Sequence, residues 1–110
     1  MKTWVIILLL AALPTGCGKE KEPATQTAGV GDAKRGRALY VTNCAACHHS
    51  DPSKDGAIGP AVKGASRELI EARVMRGAYP PDYKPKRKTA AMPAQPYLGS
   101  SLPDLVAFLN

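Results

Sequence analysis

Polar and apolar positions divide the 110-residue chain into three parts. An unbroken apolar run extends from Trp4 to Leu13, and residues 18–30 mix charged residues with Pro, Thr and Ala without any period. Residues 31–110 contain three stretches with the apolar spacing of helices, separated by loops rich in Pro and Gly. This pattern predicts one small all-α domain at 31–110, because a domain of about 80 residues has room for a single core.

The N-terminal apolar run predicts a secretory signal rather than a membrane-spanning helix. It follows the positive charge of Lys2, and its ten residues are too few for the roughly 20 that cross a bilayer core. Small residues come soon after the run, as they do at a cleavage site. We therefore expect this segment to be removed on export.

The motif LPTGC at residues 13–17 resembles the lipobox of bacterial lipoproteins, in which the cysteine receives a diacylglyceryl group and becomes the N-terminus. The glycine and Cys17 match this pattern, whereas Pro14 stands where the lipobox usually has leucine. The resemblance implies a lipoprotein-type signal peptide at 1–16, a lipid on Cys17 and a flexible tether over residues 17–30. Without the lipid, Cys17 would be an unpaired thiol in an exported chain.

Three helices are predicted in the domain. The first is predicted within GDAKRGRALYVTNC, residues 31–44, with Asp32 as a suitable N-cap. The second, ASRELIEARVMRG, has Ser66 as its cap and ends at Gly77. The third, SSLPDLVAFLN, has Ser101 as its cap and a proline in its first turn. The apolar residues expected on the buried sides of the last two helices are Leu69, Ile70, Val74, Leu105, Phe108 and Leu109.

Two cysteines and a histidine lie together in the motif CAACH at residues 44–48. A zinc site would need four ligands, usually as two pairs, and the motif is followed only by His49. A thioredoxin-like dithiol would need a βαβ setting, and no strand pattern flanks the motif. Covalent haem uses both thiols as thioethers to the porphyrin vinyl groups and the histidine as an iron ligand. We favour haem, which also agrees with export, since haem is attached outside the cytoplasm.

From this motif onward the sequence resembles the small class I monohaem c-type cytochromes, over nearly all of residues 31–110. The resemblance implies about three main helices wrapped around one haem c. It also implies that Cys44 and Cys47 hold the haem covalently and that His48 is an axial ligand of the iron.

Two further positions belong to this resemblance. Gly36 and Tyr40, four residues apart on one helix face, match residues that pack against an aromatic side chain of the last helix, here Phe108. Pro60 in the motif IGP matches a proline whose carbonyl accepts a hydrogen bond from the iron-ligating histidine. The alternatives are a helix weakened by glycine and an ordinary turn. His49 departs from the family, which usually has glycine there, and we expect it to be exposed to solvent.

The sixth iron ligand separates an electron carrier from a protein that binds small molecules. Met92 precedes a proline in the extended segment TAAMPAQPYL, where class I cytochromes place their axial methionine. The resemblance therefore implies that Met92 is the second axial ligand, and the alternative is a packed loop residue. Met75 lies within the second predicted helix, and we expect it in the core.

Charge and aromatic residues narrow the range of partners. The formal net charge is +6, and four positive charges fall in residues 84–88. These charges would either attract an acidic redox partner or anionic lipids, or only keep a surface loop solvated. Tyr83 and Tyr97 are candidates to pack on the haem or to bond a propionate. Export and the scarcity of aromatic residues argue against nucleic acid as a partner.

The resemblance implies a one-electron carrier, not an enzyme, that moves electrons between membrane-associated redox proteins and has no small-molecule substrate. A lipid on Cys17 would anchor it to a membrane outside the cytoplasm, in the periplasm or on the outer face of the cell membrane. The alternatives are a haem sensor or peroxidase-like protein with an open sixth site, and a fixed haem subunit of an oxidase or dehydrogenase complex. Because haem would supply much of the core, we expect the haem-free chain to be largely unfolded.

Overall fold

The computed structural model describes residues 30–110, so that Cys17, the predicted signal peptide and the predicted tether up to residue 29 lie outside the described residues. Within 30–110 the chain is helical and forms no strand, which confirms the predicted all-α fold. The elements are α1 (Ala33–Asn43), α2 (Ala45–His48), α3 (Arg67–Arg76), a 3-10 helix (Pro96–Ser101) and α4 (Leu102–Leu109). The single turn α2 carries most of the CAACH motif.

Helices α1 and α4 cross at Gly36. A Cβ atom on this residue would overlap the backbone carbonyl group of Asp104, so a side chain there would force the two helices apart. One turn along α1, the ring of Tyr40 packs against Phe108 with 5.4 Å between the ring centroids. The expected packing is confirmed, although Phe108 is only half-buried whereas Tyr40 is fully buried.

Two of the predicted helix caps are present. The carboxylate of Asp32 accepts hydrogen bonds from the backbone N–H groups of Lys34 and Arg35, at 2.8 and 3.0 Å. The hydroxyl of Ser66 accepts from the N–H of Leu69 at 3.2 Å. Gly77 ends α3 with φ of 63°, a left-handed conformation that glycine adopts without steric cost.

The predicted cap of the last helix is wrong, because the side chain of Ser101 makes no capping hydrogen bond. The 3-10 helix runs directly into α4, and the N–H of Leu102 donates to the carbonyl of Gly99. Pro103 has no N–H to satisfy. The carboxylate of Asp104 in this first turn instead accepts the N–H of Asp32, at 2.7 Å, and so joins the two ends of the domain.

The core lies between α1, α3 and α4. Its buried residues are Tyr40, Ile70, Val74, Leu98, Leu102, Leu105 and Leu109. Met75 packs against this cluster, with its terminal methyl beside Gly99, as expected for a core residue. Residues 78–95 form no helix, and they return to α3 through a hydrogen bond of 2.6 Å from the N–H of Gln95 to the carbonyl of Val74.

Candidate cofactor site

A cavity of about 610 Å³ lies between α2, α3, α4 and the two long loops, residues 49–66 and 77–95. Its lining includes all five of the predicted site residues in the described part of the chain, which are Cys44, Cys47, His48, Pro60 and Met92. Leu69, Ile70 and Val74 of α3 also line it, together with Leu105 and Leu109 of α4. The predicted apolar faces of α3 and α4 therefore meet at this cavity.

His48 is held on one side of the cavity by the loop that follows it. Its Nδ1 atom lies 2.8 Å from the carbonyl oxygen of Pro60. Because a carbonyl can only accept, Nδ1 must carry the proton, and Nε2 is left with a free lone pair for a metal. Gly59 packs flat against the imidazole, since a Cβ atom there would collide with the ring. The N–H of Gly59 also donates to the carbonyl of Cys47, at 2.8 Å.

The two thiols of the motif are half-buried at the edge of the cavity. Burial raises the pKa of Cys44 to about 11, and the neighbouring Cys47 adds to the shift. A reactive dithiol needs the opposite environment, one that lowers the pKa and stabilises a thiolate. The surroundings of Cys44 therefore do not resemble those of a thioredoxin-like thiol.

Met92 is half-buried, packs against the hydrophobic core and lines the same cavity as His48. Arg73 of α3 fixes the backbone here: its guanidinium donates to the carbonyls of Gly77 and Met92, the latter at 3.5 Å. The same guanidinium lies 4.3 Å from the ring centroid of Tyr79, which stacks on Tyr83. The sequence signal for this role of Arg73 was its place in the last turn of α3, where a basic side chain can reach free carbonyls.

The charged residues that line the cavity are all basic. They are Lys63, Arg73, Lys86 and Arg87. A cavity with an apolar wall and only positive charges fits haem, whose ring is planar and apolar and whose two propionates are negative. The donor set also fits, because two thiols, an imidazole and a thioether are present together.

The sequence profile of the family described as Cytochrome c matches residues 33–110. The chain belongs to the cytochrome c family. Members of this family carry covalently bound haem c, and Cys44 and Cys47 stand in the CxxCH motif that attaches it. The cofactor of this cytochrome is therefore haem c with its iron.

One curated relative is the Cytochrome c-553-like protein of Synechocystis sp., which is 42% identical over 55 residues. The match covers 46% of this cytochrome and 50% of the relative, so the chain spans about half the length of the curated relative that it matches. No solved structure matches the chain significantly. None of the helices in residues 30–110 is long and apolar enough to cross a bilayer.

His49 departs from its expected exposure, because it is half-buried. Its ring Nδ1 accepts the N–H of Asp51 at 2.9 Å, and its carbonyl accepts the hydroxyl of Tyr40 at 2.8 Å. Its backbone has φ of 72° and ψ of 146°, a region that glycine occupies far more readily than other residues. The hydrogen bond from the hydroxyl of Tyr40 to the carbonyl of His49 ties the end of α2 to α1.

Proposed function

We propose that this cytochrome is a one-electron carrier with His48 and Met92 as the axial ligands of its haem iron. The observation that carries the proposal is the placement of His48 and Met92 in the wall of one cavity with both attachment cysteines. A histidine and a methionine that fill both axial positions leave no open site for a substrate, which is the arrangement of an electron-transfer haem. Met92 lies outside the helices, 44 positions after His48, so the intervening chain is long enough to pass around the haem.

The residues of the chain prepare this site in three ways. The carbonyl of Pro60 keeps the proton of His48 on Nδ1, so that Nε2 would be available to the haem iron as a neutral and more basic ligand. A thioether such as that of Met92 favours ferrous over ferric iron and raises the reduction potential relative to a second imidazole. The apolar side chains of α3 and α4 exclude water, which reduces the reorganisation that accompanies a change in charge. The haem supplies the one-electron chemistry when it is bound.

The partners of the proposed carrier are other redox proteins. Lys84 and Lys88 are exposed and make no ion pair or hydrogen bond within residues 30–110, so their charge is available to an acidic docking face. Attachment of a lipid to Cys17 would place the domain near membrane proteins outside the cytoplasm, where c-type haem is attached. A tether of about 13 residues would let the domain move roughly 20 Å from its anchor.

The substitution Met92→Ala tests this proposal in the haem-loaded protein. We expect loss of the weak sulfur-to-iron charge-transfer band in the ferric state, rapid carbon monoxide binding in the ferrous state and a lower reduction potential, because the sixth position opens. The measurements are optical spectra of parent and variant and a redox titration. The matched control is Met75→Ala, which removes a core thioether outside the cavity wall and should keep the band. Identical spectra for the parent and Met92→Ala would reject the ligand assignment.

A further inference from the structure

Basic side chains join two loops that face the cavity. One loop lies on the side of His48, and the other lies on the side of Met92. One is the proximal loop, residues 55–61, which contains Gly59 and Pro60 against the imidazole. The other is the Met92 segment, defined as residues 84–92. The contacts between these loops come from Lys86 and Arg87, in the middle of the basic run at residues 84–88. The sequence had predicted only partner docking, lipid binding or solvation for this run.

Arg87 makes the central contact. One terminal nitrogen of its guanidinium donates to the carbonyl of Ile58 at 3.0 Å, and the other donates to the carbonyl of Gly56 at 3.2 Å. The same guanidinium lies 3.8 Å from the carboxylate of Asp55. The side chain of Arg87 is 31% exposed, less than those of the other ion-paired basic residues in the described part of the chain. A rigid, planar group with several donors suits two carbonyls at once.

Lys86 and Asp55 support this contact from both sides. The ammonium group of Lys86 donates to the carbonyl of Ala61 at 2.9 Å. The carboxylate of Asp55 accepts the N–H of Ala61 at 2.7 Å, which closes the proximal loop on itself. The loop is thus fixed by its bond to His48 and by the contact with Arg87. Lys84 and Lys88, by contrast, reach no acceptor within residues 30–110.

We propose that Arg87 is a positioning residue that holds the Met92 segment and the proximal loop together, so that a single contact supports both axial ligands. The inference rests on the proposed ligation by Met92. Arg87 lies five residues before Met92 in sequence and bonds carbonyls two and four residues before Pro60. Loss of the contact leaves Lys86 as the remaining hydrogen-bonded link between the Met92 segment and the proximal loop, and it therefore loosens the chain on both sides of the cavity.

The test is Arg87→Gln in the full haem-loaded chain, with imidazole as a competing ligand for ferric iron. Imidazole binds only when methionine has left, so its apparent affinity is proportional to the fraction of protein with an open sixth position. We expect imidazole to bind Arg87→Gln about tenfold more tightly than the parent, in keeping with the loss of charge-assisted hydrogen bonds. Arg87→Lys, which keeps the charge but not the planar pair of donors, should lie between the two.

A second readout reports on the other axial side. The Nδ1 proton of His48 should exchange with solvent faster in Arg87→Gln than in the parent, as measured by NMR on the ferrous protein, because the proximal loop opens more often. Lys88→Gln removes a nearby positive charge that makes no hydrogen bond or ion pair within residues 30–110, and it should change neither readout. The variant Asp104→Asn provides a second control, since it weakens the domain at a place outside the cavity.

The outcomes separate this inference from the proposed function. If Met92→Ala removes the charge-transfer band but Arg87→Gln binds imidazole like the parent, the positioning role is wrong and the carrier proposal stands. If Lys88→Gln or Asp104→Asn increases the imidazole affinity as much as Arg87→Gln does, the effect comes from charge or from general stability, and the inference is also wrong. If Met92→Ala leaves the spectrum unchanged, the proposed function itself fails.

Discussion

The crossing of α1 and α4 and the wall of the cavity are held together by different contacts. At the crossing, two regular helices meet at Gly36, aromatic rings pack beside it, and Asp104 bonds the backbone of Asp32. The cavity wall contains extended segments, and long basic side chains join their carbonyls across space. Protein atoms therefore complete the crossing, whereas the wall surrounds about 610 Å³ of space that we propose as the haem site.

This difference explains why a small domain can fold around such a cavity. A domain of about 80 residues buries a modest share of its surface, so a space of this size removes much of what a core would otherwise contribute. The crossing brings the first and last helices together and fixes the frame on which α3 packs. We infer that contacts at the crossing control stability, while those in the wall control ligation.

Removal of the haem should have the largest effect. In a Cys44→Ser/Cys47→Ser variant the haem is not attached, and we expect the chain to lose its cooperative unfolding transition because the core lacks its centre. The measurement is thermal unfolding by circular dichroism beside the haem-loaded parent. A residual helical signal without a cooperative transition would sharpen the comparison, since it would show that helices form while the packing around the cavity does not. A cooperative, native-like transition of the haem-free chain would contradict this prediction.

Gly36→Ala should have the next largest effect. The added methyl group would overlap the carbonyl of Asp104, and separation of the helices should cost about 2–3 kcal/mol of unfolding free energy. Chemical denaturation of the haem-loaded protein measures the loss. The matched control is Ala38→Gly on the exposed side of α1, which tests helix propensity alone and should cost about 1 kcal/mol. If Gly36→Ala is as stable as the parent, close approach at the crossing is not required.

The crossing was largely predictable from the sequence, and the wall was not. The packing of Gly36 and Tyr40 against Phe108 was implied by the resemblance to class I cytochromes. The cap residues Asp32 and Ser66 and the left-handed end at Gly77 are local signals with local physical causes. The wrong prediction at Ser101 shows the limit of local signals. A 3-10 helix before α4 already satisfies the donors that a cap would serve, and nothing within the eleven predicted helical residues indicates it.

The sequence was informative about the candidate site wherever a motif fixes the spacing. Cys44 and Cys47 stand in the CxxCH motif that attaches haem c, and both line the same cavity as His48 and Met92. No motif marks Arg87, because its bonds to distant carbonyls depend on how two loops approach each other in space. In sequence, Arg87 looks the same as the exposed lysines around it.

Asp104→Asn tests the polar contact at the crossing. Its carboxylate accepts hydrogen bonds from the guanidinium of Arg35, at 2.9 and 3.1 Å, and these bonds lower its pKa, with a further contribution from the N–H of Asp32. A carboxyl group with a lowered pKa stabilises the fold above its ordinary value of 3.8, and this stabilisation is lost as the pH falls through the folded value. We expect Asp104→Asn to cost about 1 kcal/mol at neutral pH, since Arg35 is half exposed.

The pH dependence of that loss is the sharper measurement. Denaturation of parent and Asp104→Asn should give curves that converge as the pH falls below the lowered pKa of Asp104, because the parent carboxyl group is then protonated as well. Arg35→Gln should remove the same pH-dependent difference, since it removes the largest cause of the shift. A constant gap between the two proteins from neutral to acidic pH would mean that the charge of Asp104 does not contribute.

His49→Gly should change the unfolding free energy in the opposite direction, so that the variant is more stable than the parent. His49 joins the two regions, because its carbonyl accepts the hydroxyl of Tyr40 while its chain leads into the proximal loop. With φ of 72° and ψ of 146°, histidine is strained where glycine is not, and relief of about 1–3 kcal/mol is partly offset by loss of the ring bond to the N–H of Asp51. We expect a net gain of about 1 kcal/mol in the free energy of unfolding, measured by chemical denaturation.

His49→Ala separates the two contributions, because it removes the ring bond and keeps the strain. It should be less stable than the parent. If His49→Gly and His49→Ala have equal stability, the backbone at this joint is not strained, and the wall meets the crossing through a relaxed turn.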